Sequence, residues 1–223
     1  EYIKLPIENF IKIPEEIDYK NNLLETAVVC DAVATPLKII KKARISSFDK
    51  VGVIGAGGGL GIHMLKMLKL NNISAIGIDT KTEKFNTCNE NGAEFSVSPM
   101  ENDLKNKIAD YSKSHDLDIV VDFVSSKSSL ELGCSILGKG GRLVTLGGSG
   151  EQFLANSADM LVKELELIGS RYCTKQELKE SLDLYARGLI EPLVSVETDF
   201  DGAEGLHDKI EKGEIIGRAG ILI

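Results

Sequence analysis

The chain has 223 residues, 43% of them hydrophobic and 27% charged, with 26 Lys and Arg against 34 Asp and Glu. That length holds one large domain, or one and part of a second, with enough apolar residues for a real core. The net charge of −8 gives no general attraction to phosphate backbones or anionic lipid, and no apolar run approaches the ~20 residues that span a bilayer, so neither nucleic acid nor membrane is expected as a partner.

The first residue is Glu1, with no charged-then-apolar leader behind it, and the chain reads as a piece of a longer, cytoplasmic protein. Residues 1–30 carry Pro6 and Pro14 and two short polar-alternating runs, Tyr2-Ile3-Lys4-Leu5 and Phe10-Ile11-Lys12-Ile13, the texture of an antiparallel edge. Further on, short apolar runs alternate with helix-period stretches. Strands are predicted at Val51–Ile54, Ala75–Ile78, Glu94–Val97, Ile119–Val124, Leu143–Leu146 and Leu165–Ile168, with helices between them at Leu60–Leu70, Thr82–Asn91, Asn102–Lys113 and Ser129–Leu137. Continuous apolar runs, rather than alternating ones, suit strands buried on both faces, and strand–helix–strand repetition builds a doubly wound parallel sheet. Gly92 and Gly138 sit where helix C-caps are needed. Thr174-Lys175-Gln176-Glu177 is a capping box, and Leu178, Leu182, Tyr185 and Leu189 behind it give a helix one buried face. A short helix around Ala203–Lys212 and a strand at Arg218–Ile223 close the chain. The fold class is α/β, with flanks that belong to a second, incomplete domain.

The four cysteines, Cys30, Cys88, Cys134 and Cys173, form no C-x-x-C pair, so no self-contained zinc knuckle or thioredoxin-like pair is encoded. Cys88, Cys134 and Cys173 read as small buried thiols. No H-E-x-x-H surrounds His63, His115 or His207, which read as packing or surface residues. Gly147-Gly148-Ser149-Gly150 has the wrong spacing for a nucleophile elbow.

The informative segment follows the first of the predicted strands. Gly55-Ala56-Gly57-Gly58-Gly59-Leu60-Gly61 joins a strand directly to an amphipathic helix. Such a turn brings free backbone N–H groups and the positive end of a helix dipole to one place with no Cβ in the way, which suits a pyrophosphate. The spacing is Gly55-x-x-Gly58-Gly59-x-Gly61, one residue longer than the strict dinucleotide fingerprint. Asp79 ends the second of the predicted strands, where a carboxylate accepts two hydrogen bonds from an adenosine ribose or, alternatively, caps the next helix. No P-loop is present, so a nicotinamide dinucleotide is the better fit.

These residues resemble the medium-chain, zinc-dependent alcohol dehydrogenase family. The resemblance covers the whole chain and starts partway through that family's catalytic domain: Glu1-Tyr2-Ile3-Lys4-Leu5-Pro6 and Lys12-Ile13-Pro14-Glu15-Glu16 resemble its final strands, Val51–Leu70 its cofactor turn, and Ala186-Arg187-Gly188-Leu189-Ile190 with Ile210–Arg218 its C-terminal return segment. It implies a split, mainly β catalytic lobe at 1–33 and 172–223 around a Rossmann domain at 34–171. It also implies a dimer or tetramer, an alcohol or carbonyl substrate, and NAD with a catalytic zinc as cofactors.

Carried over residue by residue, Gly58, Gly59, Leu60 and Gly61 would lie under the pyrophosphate, and Asp79 with Lys84 would hold the ribose. Val124 would pack on adenine, and Leu146 and Gly147 would meet the nicotinamide, with Ser170 opposite. Arg218 would bond the pyrophosphate. A third zinc ligand would fall at Cys30 or Asp31, or at neither, with the remaining ligands upstream of Glu1. A zinc-free NADPH quinone or enoyl reductase and a non-catalytic dinucleotide sensor are the competing readings.

Overall fold

The computed structural model describes residues 4–113, 116–148 and 150–223. Helix α1 (Leu23–Val28) runs through a π-turn at Val29–Val33 into α2 (Ala34–Lys42). Then come β1 (Lys50–Ile54), α3 (Gly61–Leu70), β2 (Ser74–Ile78), α4 (Phe85–Glu90), β3 (Ser96–Val97), α5 (Leu104–Ser112), β4 (Leu117–Asp122), α6 (Lys127–Ser135) and β5 (Leu137–Thr145). The chain closes with α7 (Ser157–Lys163), β6 (Glu166–Gly169), α8 (Lys175–Ala186), β7 (Val194–Thr198), α9 (Ala203–Glu211) and β8 (Arg218–Ile221).

The first six strands form one parallel sheet in the order β3-β2-β1-β4-β5-β6, the doubly wound α/β order expected from the sequence. Both of its faces are covered. Val51, Val53, Ile119 and Val121 pack with Ile62, Leu65 and Leu68 of α3 and Ile39 of α2 on one side. Ile54, Ile78, Val120 and Leu143 pack with Leu104 and Ile108 of α5 and Leu130 of α6 on the other. Successive residues of a strand thus serve different cores, which is why the strands read as unbroken apolar runs. Ile54 lies level with both Ile78 and Asp122, so β1, β2 and β4 end together. Chain order reverses between β1 and β4, opening a crevice at those carboxyl ends.

Several sequence expectations need correction. No strand occurs among residues 4–30, where an antiparallel edge was expected; Ile7–Asn9 is a 3-10 turn and Leu23 begins a helix. Val29 and Val33 from the π-turn bury against Met67 of α3, Leu182 of α8 and Ile190 in the loop after α8, so this segment finds its apolar partners outside any strand. Tyr2 and Ile3 lie outside the described residues, as do His115 and Ser149. Gly138 caps no helix. The helix ends at Ser135 and Gly138 lies inside β5, which starts six residues before the expected Leu143 because Leu137 pairs with Leu117 ahead of a bulge. β4 stops at Asp122, leaving Val124 in the loop beyond it. The capping box forms as expected: the Glu177 amide donates to Thr174 Oγ1 at 3.2 Å and the Thr174 amide to Glu177 Oε2 at 2.6 Å. Outside the large sheet, β7 and β8 pair in parallel. No helix among the described residues is long and apolar enough to cross a membrane.

Candidate functional site: a dinucleotide cradle

The turn after β1 is held from several sides. Gly55, with φ at +75°, donates its amide to the Ile78 carbonyl at 2.9 Å, and its own carbonyl accepts from Gly58 at 3.1 Å. A Cβ on Gly61 would stand 2.1 Å from the Gly55 oxygen and 2.7 Å from Ala56 backbone atoms, so only glycine lets α3 start this close to β1. The carbonyls of Gly58 and Leu60 accept from Ile62 and Met64 in the helix pattern. Among the described residues, the amides of Gly59, Leu60 and Gly61 donate to no protein acceptor. They lie at the open N-terminus of the ten-residue helix α3, with Leu60 as its N-cap, where the positive end of the dipole falls.

Asp79 is buried at the end of β2, its carboxylate fixed by the Gly57 amide at 2.8 Å and the Lys81 amide at 3.0 Å. Lys84 is buried too. Its stem crosses Gly57, where a Cβ would come within 2.5 Å of it, and its ammonium donates to the Ile215 carbonyl at 2.6 Å. The return segment is thereby tied to the turn, and the Gly217 amide adds a bond to the Gly57 carbonyl at 3.2 Å. Arg218 lies over Gly59, where a Cβ would approach its Nε to 2.6 Å. Its guanidinium pairs with Asp31, while its Nε is buried without a hydrogen-bond partner.

Together Gly55, Gly58, Gly59, Leu60, Gly61, Asp79, Lys84, Phe123, Val124 and Arg218 line a cavity of about 320 Å3. Gly55 opens the glycine spacing noted above, whereas nothing in the sequence singles out Phe123; both adjoin the carboxyl end of β1, Phe123 through the hydrogen bond from its amide to the Ile54 carbonyl. Leu146, Gly147 and Ser170 do not line this cavity. They stand at the ends of β5 and β6, where the Leu146 amide donates to Asp122, Gly147 to Ser125 Oγ at 2.8 Å, and Ser170 to Thr145. The Ser170 hydroxyl is buried without a partner. Asp122, fully buried and also missed, organises this end by accepting from the Val124 and Ser125 amides and from Ser129 Oγ at 2.7 Å.

His63 was read as a packing or surface residue, and its buried ring does more than fill space. Its Nδ1 meets the Gly59 carbonyl at 2.6 Å and its Nε2 accepts from the Leu193 amide at 2.9 Å. Burial pushes its pKa down to about 4, so the ring is neutral at pH 7.

The two candidate metal ligands are engaged elsewhere. Cys30 Sγ donates to the Ala27 carbonyl at 3.1 Å, and desolvation together with the neighbouring Asp31 raises its thiol pKa. Asp31 accepts from Arg218 and from Thr35 Oγ1. Among the described residues no three His, Cys, Asp or Glu side chains are grouped to hold a metal ion. Cys88 is buried, and Cys134 and Cys173 are half-buried free thiols.

Residues 59–187 match the family model for zinc-binding dehydrogenases. A NAD-dependent alcohol dehydrogenase of Sulfurisphaera tokodaii is 24% identical, over 86% of this chain and 55% of its own length. An acryloyl-coenzyme A reductase of Metallosphaera sedula is also 24% identical, over 97% of this chain and 63% of its own. The crystal structure of the alcohol dehydrogenase from Aeropyrum pernix superposes with a TM-score of 0.86 at 27% identity, covering 96% of this chain and 61% of that one. The chain thus spans between about half and two-thirds of the length of these relatives. On this match, over more than half its length, the chain belongs to the zinc-binding dehydrogenase family.

Proposed function

We propose that the chain is the dinucleotide-binding portion of an oxidoreductase that transfers a hydride between NAD(H) and an alcohol or carbonyl substrate. In this reading residues 34–171 are the cofactor domain, and 1–33 and 172–223 are parts of a catalytic lobe. The observation that carries it is the convergence, in one cavity, of the Gly58–Gly61 turn, Asp79 and Arg218. The cradle fits the cofactor. A Cβ on Gly59 or Gly61 would collide with its neighbours, the amides of Gly59, Leu60 and Gly61 are open, and Arg218 Nε is buried and unpaired. Bound NAD supplies the hydride acceptor or donor.

The protein's own part is to bind and orient. Gly59, Leu60 and Gly61 present amides to the pyrophosphate, Arg218 adds charge-assisted bonds, and Asp79 accepts from the adenosine ribose. Val124, half-exposed at the cavity edge, offers adenine an apolar face. Lys84 acts from behind, holding the Ile215 carbonyl rather than reaching forward. Leu146, Gly147 and Ser170 mark the direction in which the nicotinamide would extend.

The residues present do not make a zinc centre, because Asp31 is paired with Arg218 and Cys30 stands without companion ligands. The Asp31–Arg218 pair favours a second reading, a zinc-independent reductase.

Calorimetric titration of the chain with NAD tests the main reading, with Gly59→Val as the control. A branched side chain there strikes the flexible end of Arg218 and enters the phosphate space, so the variant should stay folded and lose binding. Unchanged affinity in the folded variant would place the cofactor elsewhere.

A further inference from the structure

We infer that His63 is a positioning residue for the dinucleotide site, one imidazole that sets the direction of the Leu60 amide and the placement of Arg218 together. This deepens the cofactor reading above and rests on it.

A carbonyl oxygen only accepts, so the 2.6 Å contact requires that Nδ1 carry the proton and donate to Gly59. A main-chain amide only donates, so Nε2 must be bare to accept from Leu193. Both contacts demand the same neutral Nδ1–H tautomer, and burial of the ring holds it neutral.

Each contact reaches the cradle. In a trans peptide the carbonyl and the amide point in opposite directions. Pulling the Gly59 carbonyl back towards His63 therefore turns the Leu60 N–H of the same peptide outward to the cavity. The neighbouring carbonyls of Gly58 and Leu60 are held by main-chain amides, and the Gly59 carbonyl between them by the side chain. On the other side, Leu193 receives the Arg218 amide on its own carbonyl at 2.9 Å. The line from Gly59 through His63 and Leu193 to Arg218 thus joins two residues that line the cavity and lie against each other, with an anion-binding group at each end. Residues 63 and 193 are 130 positions apart and come from the central domain and the return segment.

The test is NAD affinity by calorimetry for the wild-type chain and for His63→Phe, His63→Asn and His63→Gln, with folding followed by circular dichroism. His63→Phe keeps the ring volume and loses both bonds; NAD affinity should fall about 30-fold. His63→Asn places an amide near the Nδ1 position and keeps the bond to Gly59, so affinity should recover to within about threefold of wild type. His63→Gln reaches towards Leu193 instead and should remain about tenfold weak. If His63→Phe does not fold, the order of Asn above Gln still decides. Nitrogen-15 shifts of the imidazole give a readout that ring packing alone does not set: Nδ1 should be protonated and Nε2 bare at pH 7. Wild-type binding of NAD with Asn and Gln variants both within twofold of it, or an Nε2–H tautomer at pH 7, overturns this inference alone. A wild-type chain that binds no NAD overturns the cofactor reading and this one with it.

Discussion

The two halves of the crevice at the sheet's carboxyl edge are built differently. Around the β1–α3 turn, glycines, Asp79, Lys84 and Arg218 close into one cavity, each fixed by hydrogen bonds or by contacts that leave no space for a Cβ. Around the ends of β5 and β6, Leu146, Gly147 and Ser170 stand outside that cavity, and the two candidate metal ligands are turned to Arg218 and Ala27. The first half is made by one strand–turn–helix unit and a return segment folded onto it. Phosphate binding needs mainly backbone and dipole, which one unit supplies, whereas a reacting centre needs side chains gathered from several segments.

The sharpest way to break the built half is Gly61→Val. Its Cβ meets main-chain atoms of Gly55 and Ala56 that have no room to yield, and roughly 3 kcal/mol or more of stability should disappear. Urea unfolding against wild type measures it, and a loss under 1 kcal/mol would mean that the strand and helix are not held this close.

Cofactor choice comes next. A 2′-phosphate would bring nearly two negative charges to Asp79, and unit charges ~4 Å apart at an effective dielectric near 20 repel by about 4 kcal/mol. After rearrangement of solvent and side chains, NAD should be preferred over NADP by roughly 2–3 kcal/mol, or about 30- to 150-fold. Equal affinities at one salt concentration would remove Asp79 from the ribose site and favour the zinc-independent reading.

The His63 latch carries a pH dependence. Its folded pKa of about 4 lies below the ordinary 6.5, so the unfolded chain takes up the proton more readily. The stability from the neutral ring is complete above pH 6.5 and declines as pH falls towards 4, with roughly 2 kcal/mol gone by pH 5. Unfolding midpoints at pH 7 and pH 5 should show that decline in wild type and lose the His63 contribution in His63→Asn. Identical slopes in the two proteins would detach the effect from this ring.

The smallest expected effect lies in the other half. A Cβ on Gly148 meets nothing within 4 Å, so Gly148→Ala should change stability by less than about 0.5 kcal/mol. A large loss in the same urea assay would show that this end is more tightly built than its neighbours indicate.

The sheet was legible because each strand carries its own signal: Val51–Ile54 and Ile119–Val121 are apolar at every position that two cores demand. The glycine turn and Asp79 were legible because their spacing is local. The helical run from Leu23 to Lys42 was not, since the π-turn at Val29–Val33 breaks the 3.6-residue period and sets β-branched residues inside a helix. Helix α7 was missed because it buries none of its residues and so has no apolar face to read. His63 could not be assigned from sequence, because its role depends on Leu193, which the fold alone brings to it.

The most direct test of the account is a comparison of ADP-ribose with NAD in calorimetric titrations of this chain. ADP-ribose keeps the adenosine, the pyrophosphate and the second ribose and lacks the nicotinamide, so it engages only the built half. ADP-ribose should bind within about threefold of NAD, and both should be lost in Gly59→Val. ADP-ribose that fails to bind while NAD binds tightly would contradict it, because recognition would then reside at the nicotinamide end.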